Sequence, residues 1–319
     1  MGLMKILVTG AAGQVGTDLL PILVGKGHVV TVFDLAPRPE GCPEAVTWLQ
    51  GDITGRPEVF DAVKSSQPDL IYHLAAILSA RGETMPHVAY RVNLDGTMNV
   101  LEAARILDVG QVFFASTIAA FGPGLPDPVP NEVSMRPTTM YGVTKVAGEL
   151  LGEYYHKKFG LDFRGVRFPG LINAGIPGGG TSDYALFMYV EGVRSGRYAA
   201  FCEPRAKIPF MYMPDALRAI IELAEAPREN LTRCIYNIAA VSATAAEFAD
   251  AVRARVPGVE LKFDPVPHLQ AILDSWPDAL DDTAAREDWG WRPEFDLDHM
   301  SDDLIEKLEA MLEKGVLTS

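Results

Sequence analysis

The chain predicts an α/β fold, a doubly wound parallel sheet over residues 3–172 followed by a smaller α/β part over residues 173–319. Three observations carry this. Short β-branched runs alternate with helical patterns along the first of these segments. A glycine-rich turn, Gly10 to Gly16, separates the first run from the first helical pattern, and an acid, Asp34, closes the second run. Strand, glycine turn, helix and strand in that order form a nucleotide-binding unit, and buried parallel strands read as continuous apolar runs.

The 319 residues suffice for one large domain or two smaller ones sharing a core. Apolar residues make up 48% and charged residues 22%, the balance of a soluble globular protein. A formal charge of −14 leaves no excess of Lys and Arg to neutralise phosphates, which argues against nucleic-acid or anionic-membrane partners. Cys42, Cys202 and Cys234 lie far apart, with neither a Cys-x-x-Cys pair nor His at zinc-ligand spacing, so no metal site is expected. Isolated thiols suit a reducing, cytoplasmic setting. No signal peptide and no bilayer-spanning run is read.

Lys5–Thr9 is the first strand. Gly10, Gly13 and Gly16 then allow a tight turn, close approach to a pyrophosphate and close helix packing, with Gln14 and Val15 opening the helix. This makes the first part Rossmann-type. Asp34, at the end of strand Val29–Asp34, stands where a carboxylate accepts hydrogen bonds from an adenosine ribose and repels a 2′-phosphate. That favours NAD over NADP, although Arg38 is near enough in sequence to hold such a phosphate.

Val46–Leu49 reads as the third strand, leading to Asp52-Ile53, and residues 57–66 as a helix. Asp69–Ala76 is a strand running into small residues, Leu74-Ala75-Ala76, against which a dinucleotide can lie. His73 reads as structurally placed. Tyr90–Leu107 has helical periodicity, and Asn93 within it requires a hydrogen-bond partner. Gln111–Ala115 is a strand whose end carries Ser116-Thr117, hydroxyls aimed at the crevice where such folds bind ligands. After a Pro-rich loop, Thr138 or Thr139 caps a helix carrying Tyr141 and Lys145. Four-residue spacing puts these two on one helix face, where an ammonium is expected to pull the phenol pKa down from about 10 toward working pH. Tyr-x-x-x-Lys also arises by chance, so the pair gains weight only from its company. Gly165–Phe168 is a further strand. Residues 176–184 are flexible polar backbone, substrate loop or linker. Residues 185–193 read as a helix and 209–213 as a strand, Asp215 as a cap of the helix that follows, and 244–256 and 301–312 as amphipathic helices.

The glycine turn with Asp34, Asp52-Ile53, the His73–Ala76 run, Asn93, Ser116-Thr117, Tyr141/Lys145 and Arg167-Phe168-Pro169-Gly170 occur in one order that resembles the extended short-chain dehydrogenase/reductases. The resemblance implies that Tyr141 does acid–base work, that Lys145 binds the nicotinamide ribose and supports Tyr141, and that Ser116 or Thr117 polarises the substrate oxygen, with Ser116 taken as catalytic. It places Asp52 and Ile53 near adenine, and adds Asn93 and Phe168 to the cofactor-binding residues.

Within that family, Arg136–Lys145, Pro177–Ala185, Pro209–Arg218 and Asp274–Pro277 resemble the short-chain-type L-threonine 3-dehydrogenases. This implies oxidation of the L-threonine β-hydroxyl to 2-amino-3-ketobutyrate, with Ser79, Gly180, Thr181, Ser182 and Trp276 as further substrate contacts. It also implies a homodimer paired through the helices at 90–107 and 140–159. Two alternatives are a nucleotide-sugar epimerase or dehydratase with tightly held NAD, and a non-enzymatic NAD-binding protein. The first is disfavoured because residues 207–215 depart from the Arg-Asp-Tyr/Phe run common in sugar-acting members.

Overall fold

The computed structural model describes residues 2–175, 178 and 180–317. Ile176, Pro177 and Gly179 of the expected glycine-rich loop lie outside the described residues. The chain divides into two compact units that interleave in sequence: Met1–Ala120, Thr139–Arg167 and Leu217–Tyr236 make the first, and Phe121–Thr138, Phe168–Ala216 and Asn237–Ser319 the second.

The first unit is organised on a seven-stranded sheet. Its strands are β1 (Lys5–Thr9), β2 (Val29–Asp34), β3 (Thr47–Gln50), β4 (Leu70–His73), β5 (Gln111–Thr117) and β6 (Asp162–Phe168), joined by Ile235–Asn237. The spatial order is Ile235–Asn237, β6, β5, β4, β1, β2, β3. β1 pairs in parallel with β2 and with β4, and the chain reverses its direction of travel across the sheet there. The carboxyl ends of β1 and β4 are therefore the topological switch point, the place where open α/β sheets bind ligands. Ile6, Leu7 and Val8 of β1 are fully buried, as a strand covered on both faces requires.

The helix Met140–Phe159 begins at Thr139, whose hydroxyl accepts the Gly142 N–H at 3.1 Å, and ends at Gly160 in the left-handed region at φ 75°. Its fit to the sheet depends on two glycines. A Cβ on Gly148 would lie 2.5 Å from the Phe114 ring of β5, and one on Gly152 would overlap the Phe163 ring of β6. The expected helix over Tyr90–Leu107 is instead three pieces. Pro86–Tyr90 and Gly96–Ile106 are α-helical, and Arg91–Asp95 between them is a π-turn centred on Asn93. Such turns widen a helix by one residue and concentrate at functional sites.

In the second unit, Lys207–Tyr212 pairs in parallel with Gly170–Ile172 and antiparallel with Val241–Thr244. Arg197–Ala200 and Glu260–Phe263 form a separate parallel pair, two short strands that polar composition hides in the sequence. Helices Tyr184–Ser195, Ala245–Arg255 and Leu297–Glu313 pack together, with Phe248 edge-on to Phe210 at 4.8 Å and the Tyr189 and Ser301 hydroxyls bonded at 2.6 Å. Asp215 departs from its expected role. It lies inside the helix Met213–Glu225, fully buried, and its carboxylate accepts the backbone N–H groups of Glu294 and Phe295. A buried carboxylate needs such donors, and a distant loop supplies them here. No described helix is long and apolar enough to cross a membrane.

Gly→Ala inside a helix ordinarily stabilises by about 0.5–1 kcal/mol. Gly25→Ala, with nothing within 4 Å of the added carbon, is expected to follow that rule. Gly152→Ala is expected to reverse it and destabilise by about 1–3 kcal/mol, because Phe163 must move. Urea unfolding of both variants checks the opposite signs.

Candidate active site

The glycine turn sits at the switch point. Gly10 has φ 72° and its α-carbon face lies against Ala75, so that a Cβ would approach the Ala75 backbone to 2.5 Å. Gly16 is as tightly placed against Ala11. Gly13 differs: a Cβ there would meet only the Gly10 carbonyl, at 3.3 Å. Protein packing thus explains two of the three glycines. The third faces open space at the N-terminus of helix Gln14–Gly25, whose first turn carries no acid, which fits an approaching pyrophosphate. Asp34 is held by two backbone donors, Ala12 N–H at 2.8 Å and Ala36 N–H at 2.9 Å. Arg38 donates to the carbonyls of Cys42, Pro43 and Val46, away from any role as a phosphate ligand. These residues fit NAD and disfavour the 2′-phosphate of NADP.

Other expected cofactor residues divide. Leu74, Ala75 and Ala76 follow β4 beside the glycine turn, and Leu74 N–H donates to Thr9 at 3.1 Å. Asp52 caps its own turn through Thr54 N–H, while Ile53 is buried in the hydrophobic core. Asn93 has its amide taken up by protein: it accepts Ile77 N–H at 2.7 Å and donates to the Ile77 carbonyl and the Thr144 hydroxyl, both at 3.0 Å. It therefore ties the segment after β4 to the Tyr141 helix. Phe168 closes β6 and is buried.

At the end of β5, alternate side chains take different partners, as strand geometry demands. Thr117 accepts Ala119 N–H at 3.2 Å, and its hydroxyl is near enough to the Tyr141 phenol to favour the phenolate. Ser116 turns the other way and donates to Glu149, which is also paired with Arg167 at 2.8 Å. The geometry separates the two hydroxyls that the sequence left together, and it is Thr117 that stands beside Tyr141.

Lys145 donates to the Ala115 carbonyl at 2.6 Å, and its ammonium lies 5.6 Å from the Tyr141 ring centre and 4.8 Å from that of Phe114. Burial pulls its pKa down to about 8, against the opposing charge of Glu149. The Tyr141 phenol is not lowered as the spacing suggested. Burial pushes it up to about 12, only partly offset by the nearby Thr117 hydroxyl. His73 is held between the hydroxyls of Thr9 at 2.8 Å and Thr97 at 3.0 Å, and burial lowers it to about 3, so it is neutral at working pH.

Ser79 is buried at the start of helix Ser79–Thr84, which packs against the Tyr141 helix: Glu83 accepts Met140 N–H at 2.7 Å. In the second unit, Gly180 N–H is held by Asp183 at 2.9 Å, and Thr181–Asp183 form a short turn that buries Thr181 and places Ser182 next to Gly170. Helix Pro267–Leu273, which leads to the half-buried Trp276, packs on that same turn. Glu149 is the residue that motif reading missed. A glutamate four positions after Lys145, on a helix face already carrying Tyr141 and Lys145, was the available signal.

Asp34→Ala is expected to weaken NAD⁺ binding and bring the NAD⁺ and NADP⁺ dissociation constants closer together. Titration followed by protein fluorescence checks both.

The chain is similar to proteins of known kind along nearly its whole length. It is 41% identical over 298 residues to the bovine (Bos taurus) protein named L-threonine 3-dehydrogenase, mitochondrial, covering 92% of this chain and 79% of that one. The solved structure of L-threonine dehydrogenase from Clostridium difficile superposes with a TM-score of 0.93 at 42% identity, covering 99% of this chain and 100% of the other. A structure named as a monomeric L-threonine 3-dehydrogenase of metagenomic origin superposes at 0.91 with 39% identity, covering 96% and 99%. The model of the NAD dependent epimerase/dehydratase family matches residues 6–239, spanning the glycine turn, Asp34, Thr117, Tyr141 and Lys145. The chain belongs to the NAD-dependent epimerase/dehydratase family.

Proposed function

We propose that this protein is an NAD-dependent L-threonine 3-dehydrogenase, oxidising the β-hydroxyl of L-threonine to the ketone of 2-amino-3-ketobutyrate. The observation that carries this reading is the end-to-end similarity to the Clostridium difficile enzyme. NAD⁺, when bound, supplies the acceptor for the hydride that leaves Cβ; Gly10, Gly13, Gly16 and Asp34 hold it. Tyr141 as phenolate takes the hydroxyl proton. Thr117, already turned toward the Tyr141 oxygen, donates to the substrate oxygen in the role first given to Ser116. Lys145 supplies positive charge beside the phenolate. Ser79, Thr181, Ser182 and Trp276 are the candidates for holding the amino acid.

The pH dependence follows from the signs. Tyr141 rests protonated, since burial holds it near 12, and the oxidation needs its base form. Turnover therefore rises with pH on the acid side, about tenfold per unit while the phenolate is the minor form. The nearby Thr117 hydroxyl lowers that pKa, so Thr117→Val is expected to move the rise to higher pH. Tyr141→Phe is expected to reduce turnover at least about 10²-fold with NAD⁺ binding retained. NADH absorbance with L-threonine, L-serine and D-threonine across pH measures all three. Near-normal turnover in Tyr141→Phe, or no NADH with L-threonine, overturns the reading.

The free thiols Cys42, Cys202 and Cys234 suit a cytoplasmic protein. We also assign a homodimer. Tyr90, Met98, Val143, Leu150 and Tyr154 are exposed on neighbouring helices of the first unit, with Leu150 58% accessible, and Leu94 and Leu151 line the groove between them. A mostly apolar face on neighbouring helices, with Asp95 at its groove, suits a second copy related by a two-fold axis. Sedimentation equilibrium is expected to give twice the chain mass for the wild type and a single chain for Leu150→Glu; a monomeric wild type, as the metagenomic relative's name describes, refutes the dimer.

A further inference from the structure

Glu149 and Arg167 form a deeply buried ion pair, with side chains 1% and 6% accessible. The acid–base chemistry described above uses neither. Removing two charges from water is costly unless every lone pair and N–H is satisfied. Here the carboxylate is well supplied with donors. Arg167 Nε donates to both carboxylate oxygens, at 3.0 and 3.2 Å, and Nη2 to Oε2 at 2.8 Å, while the Ser116 hydroxyl donates to Oε1. Three elements meet at one carboxylate: the Tyr141 helix, β5 and β6.

The consequence is a register. Three successive residues of β5 are each tied to one face of the Met140–Phe159 helix. The Ala115 carbonyl accepts Lys145, the Ser116 hydroxyl donates to Glu149, and the Thr117 hydroxyl stands near the Tyr141 phenol. The helix partners stand at four-residue intervals, 141, 145 and 149, and so lie along one stripe. Because strand side chains alternate, holding Ser116 on one side aims Thr117 to the other.

We propose that Glu149 is a positioning residue for the Tyr141–Lys145 pair: gripping Ser116 and Arg167, it fixes the carboxyl end of β5 against the helix that carries the pair. The inference rests on the acid–base roles proposed for Tyr141 and Lys145. It has an electrostatic side as well. The charged and titratable groups around Lys145 are Tyr141 and Glu149 on its own helix, His73 on β4, held neutral, and Arg167 on β6, reached through Glu149. Of these, Glu149 favours the ammonium against the burial that pulls it toward about 8.

Three variants test this. Ser116→Ala keeps both charges. Glu149→Gln removes one and leaves Arg167 buried without its counter-charge. The double variant Glu149→Gln/Arg167→Gln removes both and stands in if the single one does not fold. Two readouts are taken: kcat and KM for L-threonine against pH, and the titration of Lys145 by NMR of ¹³Cε-lysine-labelled protein, with Lys145→Arg identifying the resonance. Ser116→Ala is expected to lose kcat by about ten- to a hundredfold with KM nearly unchanged and the Lys145 midpoint in place. Ser116→Thr, which retains the hydroxyl, restores most of that loss. Both charge-removing variants are expected to move the Lys145 midpoint to lower pH. Wild-type kcat in Ser116→Ala, or an unmoved Lys145 midpoint in a folded charge-removing variant, overturns the proposal. The NMR arm needs no substrate, so wild-type protein inactive on L-threonine would sink the threonine reading while the clamp is still judged by Lys145.

Discussion

The close approach of the Met140–Phe159 helix to the central sheet is the constraint on which the site depends. Gly148 and Gly152 let the helix backbone settle onto the rings of Phe114 and Phe163, where any larger residue would hold it off. Only at that separation can Lys145 reach the Ala115 carbonyl and Glu149 meet Ser116 and Arg167. The helix gives up intrinsic propensity at two interior positions for this contact. Tertiary packing decides the exchange, since glycine is otherwise a poor choice in a helix.

Burial at that contact sets the electrostatics. Tyr141 is pushed up, Lys145 and His73 are pulled down, and each shift disfavours a charge in a desolvated place. The three shifts have different chemical meanings. His73 becomes a neutral spacer between two threonine hydroxyls, removed from proton chemistry. Lys145 is brought within range of physiological pH, so the charge of Glu149 nearby matters to its protonation. Tyr141 is left as a strong-base phenolate once ionised, held in contact with a hydroxyl that stabilises that form. The network of Asn93, Thr144 and Tyr141 is the mechanical counterpart: Thr144 donates back to the Tyr141 carbonyl while accepting from Asn93 across the π-turn.

Much of the first unit was legible because its signals are local. A β-branched run, a glycine turn, an amphipathic helix and an acid at a strand end lie within thirty-odd residues, and their order is chemistry that one βαβ unit needs. The second unit was less legible. Arg197–Ala200 and Glu260–Phe263 are strands through pairing with each other across some sixty residues, without apolar periodicity of their own. Asp215 reads as a helix cap until Glu294 and Phe295 arrive to take its oxygens. Asn93, counted among cofactor residues on the strength of its motif, also bonds Ile77 and Thr144 through its side-chain amide.

By itself the sequence supplied the parts of the proposed chemistry: a glycine turn with an acid closing the next strand, a Tyr–Lys pair, and a hydroxyl at the preceding strand end. These follow from residue identity and spacing, which are properties of the chain. The tertiary structure alone decided which hydroxyl stands by Tyr141, in which direction the phenol pKa moves, and that Glu149 belongs to the same constellation. Those outcomes depend on which side of a strand faces a helix and how deeply charges are buried, and both are fixed only when β5, β6 and the Met140–Phe159 helix close on one another.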